Sequence, residues 1–479
     1  MKPQQGPFCP DLKHQFAKAN QRLVEMEEKY DLLHFQIDGW CVWPLLRFSV
    51  GSLLYGFEYS HSTARYSYFD LASAAAVDLY KILTASSREV VVRAYDSNRS
   101  EKRGEKFIDI FFDDLLVHTG SYFKIEILSN PIFSEARKAA LVKADMTSTL
   151  FGFIAKLLSK TISSQEIHKI SREISIVLSK KEGLENFKQE YIYTVINNFI
   201  WSYRLYRWLF RKIRPRYLLI VNPYGDHAVV AAARSMDVEV IEFQHGYIVP
   251  WHVGYSWPKY ARNYKKHMPI PDKIFLYGEY WRQFLITDGF WDESELIVVG
   301  SLRMDYHRQT NLSRPKGTVR LLWTTQPIAV DKSIDFMVKF LEEYTGTTPL
   351  EIYIKLHPGE TSKAKYEDAF KSFKFVKVLN STEMPSVFDI LRSSHIHVSL
   401  SSTCHFEALA LGIPTVVLPV EGHEHVTPLK EFSGAFLAEN PRDLVEIINN
   451  LENITISSST SHLLFANDSL NNIKKEIGL

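Results

Sequence analysis

The chain has 479 residues, 46% hydrophobic and 23% charged, which is too long for one ordinary core and fits two or three folded domains rather than a disordered or fibrous chain. Lys plus Arg (56) nearly balance Asp plus Glu (55), so no global field draws the chain to nucleic acid, and attraction to an anionic surface has to be local. Cys9, Cys41 and Cys404 show no CxxC spacing, which argues against a disulfide framework, and no run reaches the roughly 18 apolar residues of a spanning helix; a cytoplasmic or peripheral protein is expected.

In chain order, Phe16, Ala19, Leu23, Met26, Tyr30 and Leu33 recur in steps of three and four, predicting an amphipathic helix packed on its own domain. A second helix is expected near Ala72 to Leu83, and the run Val90-Val91-Val92 reads as a buried strand. A long helical pattern from Leu184 to Lys212 stops before Pro215 and feeds a strand at Tyr217 to Val221. The turn Asn222 to Asp226, a small-residue helix at Ala228 to Ser235 and a strand at Val238 to Phe243 then complete a unit of parallel sheet. Residues 307–318, with Pro315 and Gly317, read as a linker. A second α/β series follows, with strands expected at Val319 to Trp323, Glu351 to Leu356, near Phe375 to Leu379, at Ile396 to Leu400 and at Thr415 to Leu418. The expected organisation is a first domain over 1–306 and a second over 319–479, whose last helices pack back on the first. Two doubly wound domains imply a cleft, with ligands at the C-terminal ends of strands.

Three stretches carry chemistry in the second domain. The strand ending at Leu400 runs into Ser401-Ser402-Thr403 and a helix containing Glu407; hydroxyls and free N–H groups at a helix start suit a phosphate, and Glu407, one turn on, suits a ribose. The strand Ile352 to Leu356 presents Lys355 and His357-Pro358 at its end, where an imidazole can donate to a phosphate oxygen or help it leave. Thr324-Thr325-Gln326 forms a polar turn after the first strand. All three fall at one edge of one predicted sheet.

This order resembles the GT-B glycosyltransferases of bacterial surface polysaccharides, especially the HP-motif and serine-motif enzymes that use CMP-sialic acid or CMP-Kdo. The resemblance implies that His357, Pro358, Ser401 and Ser402 hold the nucleotide phosphate. In the first domain Glu242-Phe243-Gln244-His245-Gly246 and Gly300-Ser301-Leu302-Arg303-Met304-Asp305 resemble segments of the teichoic-acid CDP-glycerol glycerophosphotransferases. That likeness implies His245 as catalytic base, with Gln244 and Arg303 on acceptor or phosphate, although Phe243-Gln244 and Leu302 depart from that family's pattern. Asp96, after the Val90 strand, and Asp113-Asp114 are rival bases.

The chain lacks Asp-x-Asp, which argues against a metal-dependent GT-A enzyme and for one in which protein groups neutralise the leaving phosphate. Gly422-His423-Glu424-His425 could offer two imidazoles to a metal but shows no third ligand, and reads rather as a loop over the nucleotide. No cofactor and no metal are expected. The basic-aromatic segment Trp201 to Arg216 suits either a membrane surface or burial between domains.

The expectation is therefore a GT-B enzyme of two Rossmann-like domains, moving a sugar from a nucleotide-sugar donor to an oligosaccharide or lipid-linked saccharide acceptor. A polyol-phosphate transferase, a nucleotide-sugar 2-epimerase and an inactive binding scaffold are the alternatives on the same fold.

Overall fold

The computed structural model describes residues 10–56, 68–128, 135–287, 289–309, 313–346, 348–360 and 362–478; Cys9 lies outside them. The chain divides into two compact units. One takes Gln15–Leu276, Arg282–Val298 and the last residues from Ile473; the other takes mainly Val299–Asn472 with Tyr277–Trp281.

The N-terminal unit is built on a seven-stranded parallel sheet. Its strands run in the order Leu296–Val298, Lys273–Leu276, Glu239–Phe243, Tyr217–Ile220, Val90–Tyr95, Tyr122–Ile127 and Met146–Thr147. Parallel strands are covered on both faces and so read as apolar runs; Val90–Val92 and Leu218–Ile220 are fully buried. Helices fill the connections, the longest being Gln189–Ile213. It starts five residues later than its apolar pattern suggests, and it turns Ile192, Ile196, Tyr203, Tyr206 and Phe210 into its own unit.

The sheet of the C-terminal unit has six parallel strands, in the order Val376–Leu379, Leu350–Lys355, Val319–Thr324, Ile396–Ser399, Thr415–Val417 and Ala435–Leu437. Its core gathers Leu321, Trp323, Ile352, Ile354, Phe340 and Val398. The order reverses between Val319–Thr324 and Ile396–Ser399, and in the register Thr324 lies beside both Lys355 and Ser399. The N-terminal sheet has its own reversal, between Val90–Tyr95 and Tyr217–Ile220. Such switch points open crevices at the strand ends, where ligands bind in doubly wound sheets.

The stretch read as a linker, 307–318, begins inside the helix Leu302–Gln309. His307 is buried there, stacked on Phe388 with ring centroids 4.5 Å apart; residues 310–312 lie outside those described.

Within the C-terminal unit the end of the chain is seated on the two stretches by which the backbone enters that unit. Trp281 Nε1 donates to the Leu464 carbonyl at 2.8 Å, and Ala466 N donates to the Tyr277 carbonyl at 2.7 Å. Gly278 and Gly300 make this possible. A Cβ on Gly278 would stand 2.3 Å from the Leu463 carbonyl oxygen, and one on Gly300 2.4 Å from that of Ala466. Ser469 closes the seat by donating its backbone N–H to Asp305 at 2.7 Å.

Candidate functional site

At the reversal of the C-terminal sheet the strand ends hold the predicted residues, but several side chains turn inward. Thr324 is almost fully buried and its hydroxyl lies 2.8 Å from His397 Nε2. His397 Nδ1 meets Thr415 Oγ1 at 2.8 Å, and the same oxygen meets His405 Nδ1 at 2.6 Å. Burial holds both imidazoles in the neutral form, His405 down to about 3. The Ser399 hydroxyl donates to the Thr324 carbonyl at 2.7 Å. This network braces the strand ends from below, so Thr324 is a support rather than a group that faces a ligand.

Lys355 departs from its expected role in the same way. It is buried, and its ammonium is held by the backbone carbonyls of Glu383 and Pro385. Burial lowers its pKa to about 8, opposed by Glu383 and Asp389. The register sets it beside Leu379 on the neighbouring strand, and its charge ties down the loop that follows. Thr325 is also internal. Its hydroxyl accepts the His357 backbone N–H at 3.0 Å and donates to Glu360.

These bonds shape the loop that presents His357. Gly359 N–H donates to His357 Nδ1 at 2.9 Å. A ring nitrogen that accepts cannot carry the proton, so neutral His357 carries it on Nε2. Burial lowers the pKa of His357, which keeps this donor tautomer at neutral pH. Gln326 is half-buried and Pro358 exposed. Beyond the intervening strand Val319–Thr324, at the end of Ile396–Ser399, Ser401 is buried, while Ser402 and Thr403 are half-exposed; Ser402 Oγ accepts the Cys404 N–H at 3.2 Å where the helix Cys404–Ala410 begins.

Glu407 does not stand alone on that helix. Arg303 belongs to the same unit, and its Nη1 lies 3.5 Å from Glu407 Oε1, with its guanidinium 3.9 Å from the Phe388 ring centroid. A guanidinium stacked on a ring and paired with a carboxylate keeps its donors in a fixed plane, the geometry that suits phosphate oxygens. Sequence spacing set Arg303 in the other domain, and only the fold brings it here. In the glycine-linked loop His423 Nδ1 is 2.9 Å from the Val420 carbonyl and 3.0 Å from Glu424; among the described residues no group of three metal-binding side chains occurs.

The N-terminal unit has its own cluster of strand-end residues. Gln244 is buried, and its amide donates to the Gly246 carbonyl at 2.8 Å, which fixes the loop rather than leaving that amide to a substrate. His245, half-buried, meets Tyr224 Oη at 3.0 Å through Nε2, while Nδ1 is buried without a hydrogen-bond partner. Burial lowers its pKa to about 4. Tyr224 stacks on Phe48 at 4.9 Å and approaches His252 at 5.7 Å. Gly254 has to be glycine, because a Cβ there would come within 2.6 Å of the Tyr224 ring. The loop carrying Gly254 is held by Arg47, whose Nη2 donates to the Ser256 carbonyl at 2.7 Å and whose Nε pairs with buried Glu27 at 2.6 Å. Asp96, buried, sits two strands from His245 along the same sheet edge.

Two groups here escaped sequence reasoning. Glu242 is fully buried and takes a hydrogen bond from the Tyr255 hydroxyl, and desolvation raises its pKa to about 8. Asp226 forms a bidentate pair with Arg93, at 2.8 and 3.0 Å. The rival bases Asp113 and Asp114 are occupied instead. Asp113 lies 2.7 Å from buried Lys124, with Asp109 at 3.0 Å on the same ammonium, and Asp114 pairs with Arg103.

No family model and no curated protein matches this sequence. Solved structures do resemble it. A UDP-GlcNAc 2-epimerase from Neisseria meningitidis, bound to UDP-GlcNAc, superposes with a TM-score of 0.51 at 14% identity, covering 81% of this chain and 99% of that one. A putative UDP-N-acetylglucosamine 2-epimerase from Listeria monocytogenes gives 0.51 at 13% identity, covering 82% and 96%. The fold is GT-B. A GT-B chain carries two parallel-sheet α/β domains, and the two sheets described above are those domains. Among the described residues no helix is long and apolar enough to cross a membrane.

Proposed function

We propose that this protein is a nucleotide-sugar enzyme of the glycosyl-transfer type, with its donor site at the sheet reversal of the C-terminal unit. The observation that carries the reading is the pairing of Arg303 with Glu407 on the helix that follows Ser401-Ser402. Together with His357 Nε2 these groups supply planar guanidinium donors, an imidazole donor and hydroxyls for a diphosphate or monophosphate, and a carboxylate for a ribose. Charge that grows on the departing phosphate is met by preorganised donors, the term that contributes most in such sites. Thr324, Thr325 and Lys355 act as the scaffold that aims them.

In the N-terminal unit His245 is the group we assign to take a proton from an acceptor hydroxyl, with Asp96 second. Its low pKa leaves it unprotonated at neutral pH. A CMP-sugar donor, CMP-Kdo or CMP-sialic acid, is the favoured substrate on the His357-Pro358 and Ser401-Ser402 likeness. The acceptor is an oligosaccharide or lipid-linked saccharide of bacterial capsule or lipopolysaccharide synthesis, reached at the cytoplasmic face of the inner membrane.

A second reading, nucleotide-sugar 2-epimerisation, is favoured by one observation, the likeness in fold to two 2-epimerase structures. Incubation with a nucleotide sugar and no acceptor separates the two, since only an epimerase returns an epimer. The donor site itself is tested by thermal unfolding with CMP, CDP and UDP. Stabilisation by at least one, lost in His357→Ala and Arg303→Ala, is expected; no stabilisation by any of the three would overturn the reading.

A further inference from the structure

The helix Thr149–Thr161 has an unusual outer face. Its buried side is narrow, resting on Phe151 and Ala155. Phe151 packs edge-on to Tyr206 at 5.1 Å, and Ser159 accepts through its carbonyl from Asn197 at 2.8 Å, both residues on the long helix Gln189–Ile213. Asp78, from the helix Tyr68–Thr84, accepts the Leu150 N–H at 3.1 Å. The helix is therefore fixed on both flanks, and its remaining side is open. On that side Phe153 is 66% exposed and Leu157 51%. Lys156 and Lys160 share the stripe, both exposed, and Thr149–Thr161 contains no acidic residue. Just beyond the helix end, Ile162 is 45% exposed.

A water-facing helix normally turns its phenylalanines and leucines inward and keeps charges of both signs outside. Here two large apolar side chains, four residues apart, alternate with two lysines, also four apart, on one face. Protein interfaces are depleted in lysine at their centres. A helix that lies in a membrane surface combines Phe and Leu, which enter the acyl boundary, with Lys, whose alkyl stem follows them while its ammonium stays among anionic headgroups. On the neighbouring helix Trp208 is 49% exposed, between Arg204, which pairs with Asp38 at 3.0 Å, and exposed Arg211. The segment Trp201 to Arg216, read from sequence as a membrane helix or a buried one, turns Tyr203, Tyr206, Leu209, Phe210 and Ile213 into its own unit and leaves this edge exposed.

We propose that the Phe153-Lys156-Leu157-Lys160 face docks the protein on an anionic phospholipid surface. Phe153 and Leu157 supply the buried apolar area and the lysines supply the charge selection, so that neither alone suffices. The inference stands on this face and is independent of the donor chemistry.

Co-sedimentation of the full chain with vesicles tests it. The protein is expected to pellet with vesicles of phosphatidylcholine and phosphatidylglycerol at low salt, to stay in solution with phosphatidylcholine alone, and to be released by added salt. Two double variants, Phe153→Ser with Leu157→Ser and Lys156→Glu with Lys160→Glu, should each weaken partitioning by roughly tenfold or more with an unchanged melting temperature. Variants that bind as the wild type does, or a wild type that ignores anionic vesicles, overturn the proposal. So does a wild-type dimer in solution that Phe153→Ser makes monomeric, since the face would then meet a second copy of the chain.

Discussion

Tyr224 Oη lies 3.0 Å from His245 Nε2, while His245 Nδ1 is buried and meets no partner. A buried N–H without an acceptor is rarer and costlier than a buried lone pair without a donor. The tautomer that fits keeps the proton on Nε2, which donates a hydrogen bond to Tyr224 Oη, and leaves the lone pair on Nδ1. With a pKa near 4, His245 in the role of base predicts a rate that rises as pH climbs through about 4 and is level to neutrality. His245→Ala should lower kcat by roughly a hundredfold to ten-thousandfold and leave nucleotide-dependent stabilisation intact. Tyr224→Phe should shift the acid limb in a pH profile of kcat/KM; a profile that does not move would separate Tyr224 from His245.

Arg303 offers a different readout. Loss of a charge-assisted contact to phosphate costs about 1.5 to 3 kcal/mol, so Arg303→Ala should raise the Kd of the best nucleotide by roughly tenfold to a hundredfold, measured by titration calorimetry. Glu407→Gln keeps the shape and removes the counter-charge. It should weaken a nucleoside ligand through the lost ribose contact, while inorganic pyrophosphate, which no longer meets a nearby carboxylate, should bind at least as tightly.

Glu242 links pH to stability. Its folded pKa of about 8 stands above the ordinary carboxylate value of 4.5, so between those values the folded state holds a proton that the unfolded chain has released. Stability is therefore fully present below about pH 4.5 and is lost progressively as pH rises to about 8. Glu242→Gln carries a permanently neutral side chain. Melting curves from pH 5 to 9 should show the variant losing less stability than the wild type, by on the order of a few kcal/mol at the alkaline end.

The Lys124 cluster is a structural counterpart. Lys124→Met strands the buried carboxylates of Asp109 and Asp113 and should cost about 3 to 5 kcal/mol in urea unfolding. Lys124→Met with Asp113→Asn should recover part of that loss, since one stranded charge is removed.

The parallel strands were legible because strands covered on both faces are largely apolar, as Val90–Val92 and Leu218–Ile220 are. That His357 and Ser402 follow the carboxyl ends of strands in one parallel sheet could be read from the alternation of strands and helices. What could not be read was which way polar side chains turn. Thr324 looks like a ligand-binding hydroxyl until His397, 73 residues on, takes it, and Lys355 looks like a phosphate-binding cation until two backbone carbonyls claim it. Arg303 and Glu407 are 104 residues apart, and no local pattern joins them. Asp113 reads as a base only while Lys124 is out of view.

The seat made by Gly278 and Gly300 has a consequence for synthesis. Leu464, Ala466 and Ser469 hold the residues through which the backbone enters the C-terminal unit, and Asp305, which receives Ser469, is on the helix that bears Arg303. During translation that helix lacks its brace until residue 469 has left the ribosome, long after the strands it serves have been made. On the proposed function the donor site is thus the last part of the unit to be braced, and a chain that ends before Leu464 is expected to bind nucleotide more weakly than the full chain.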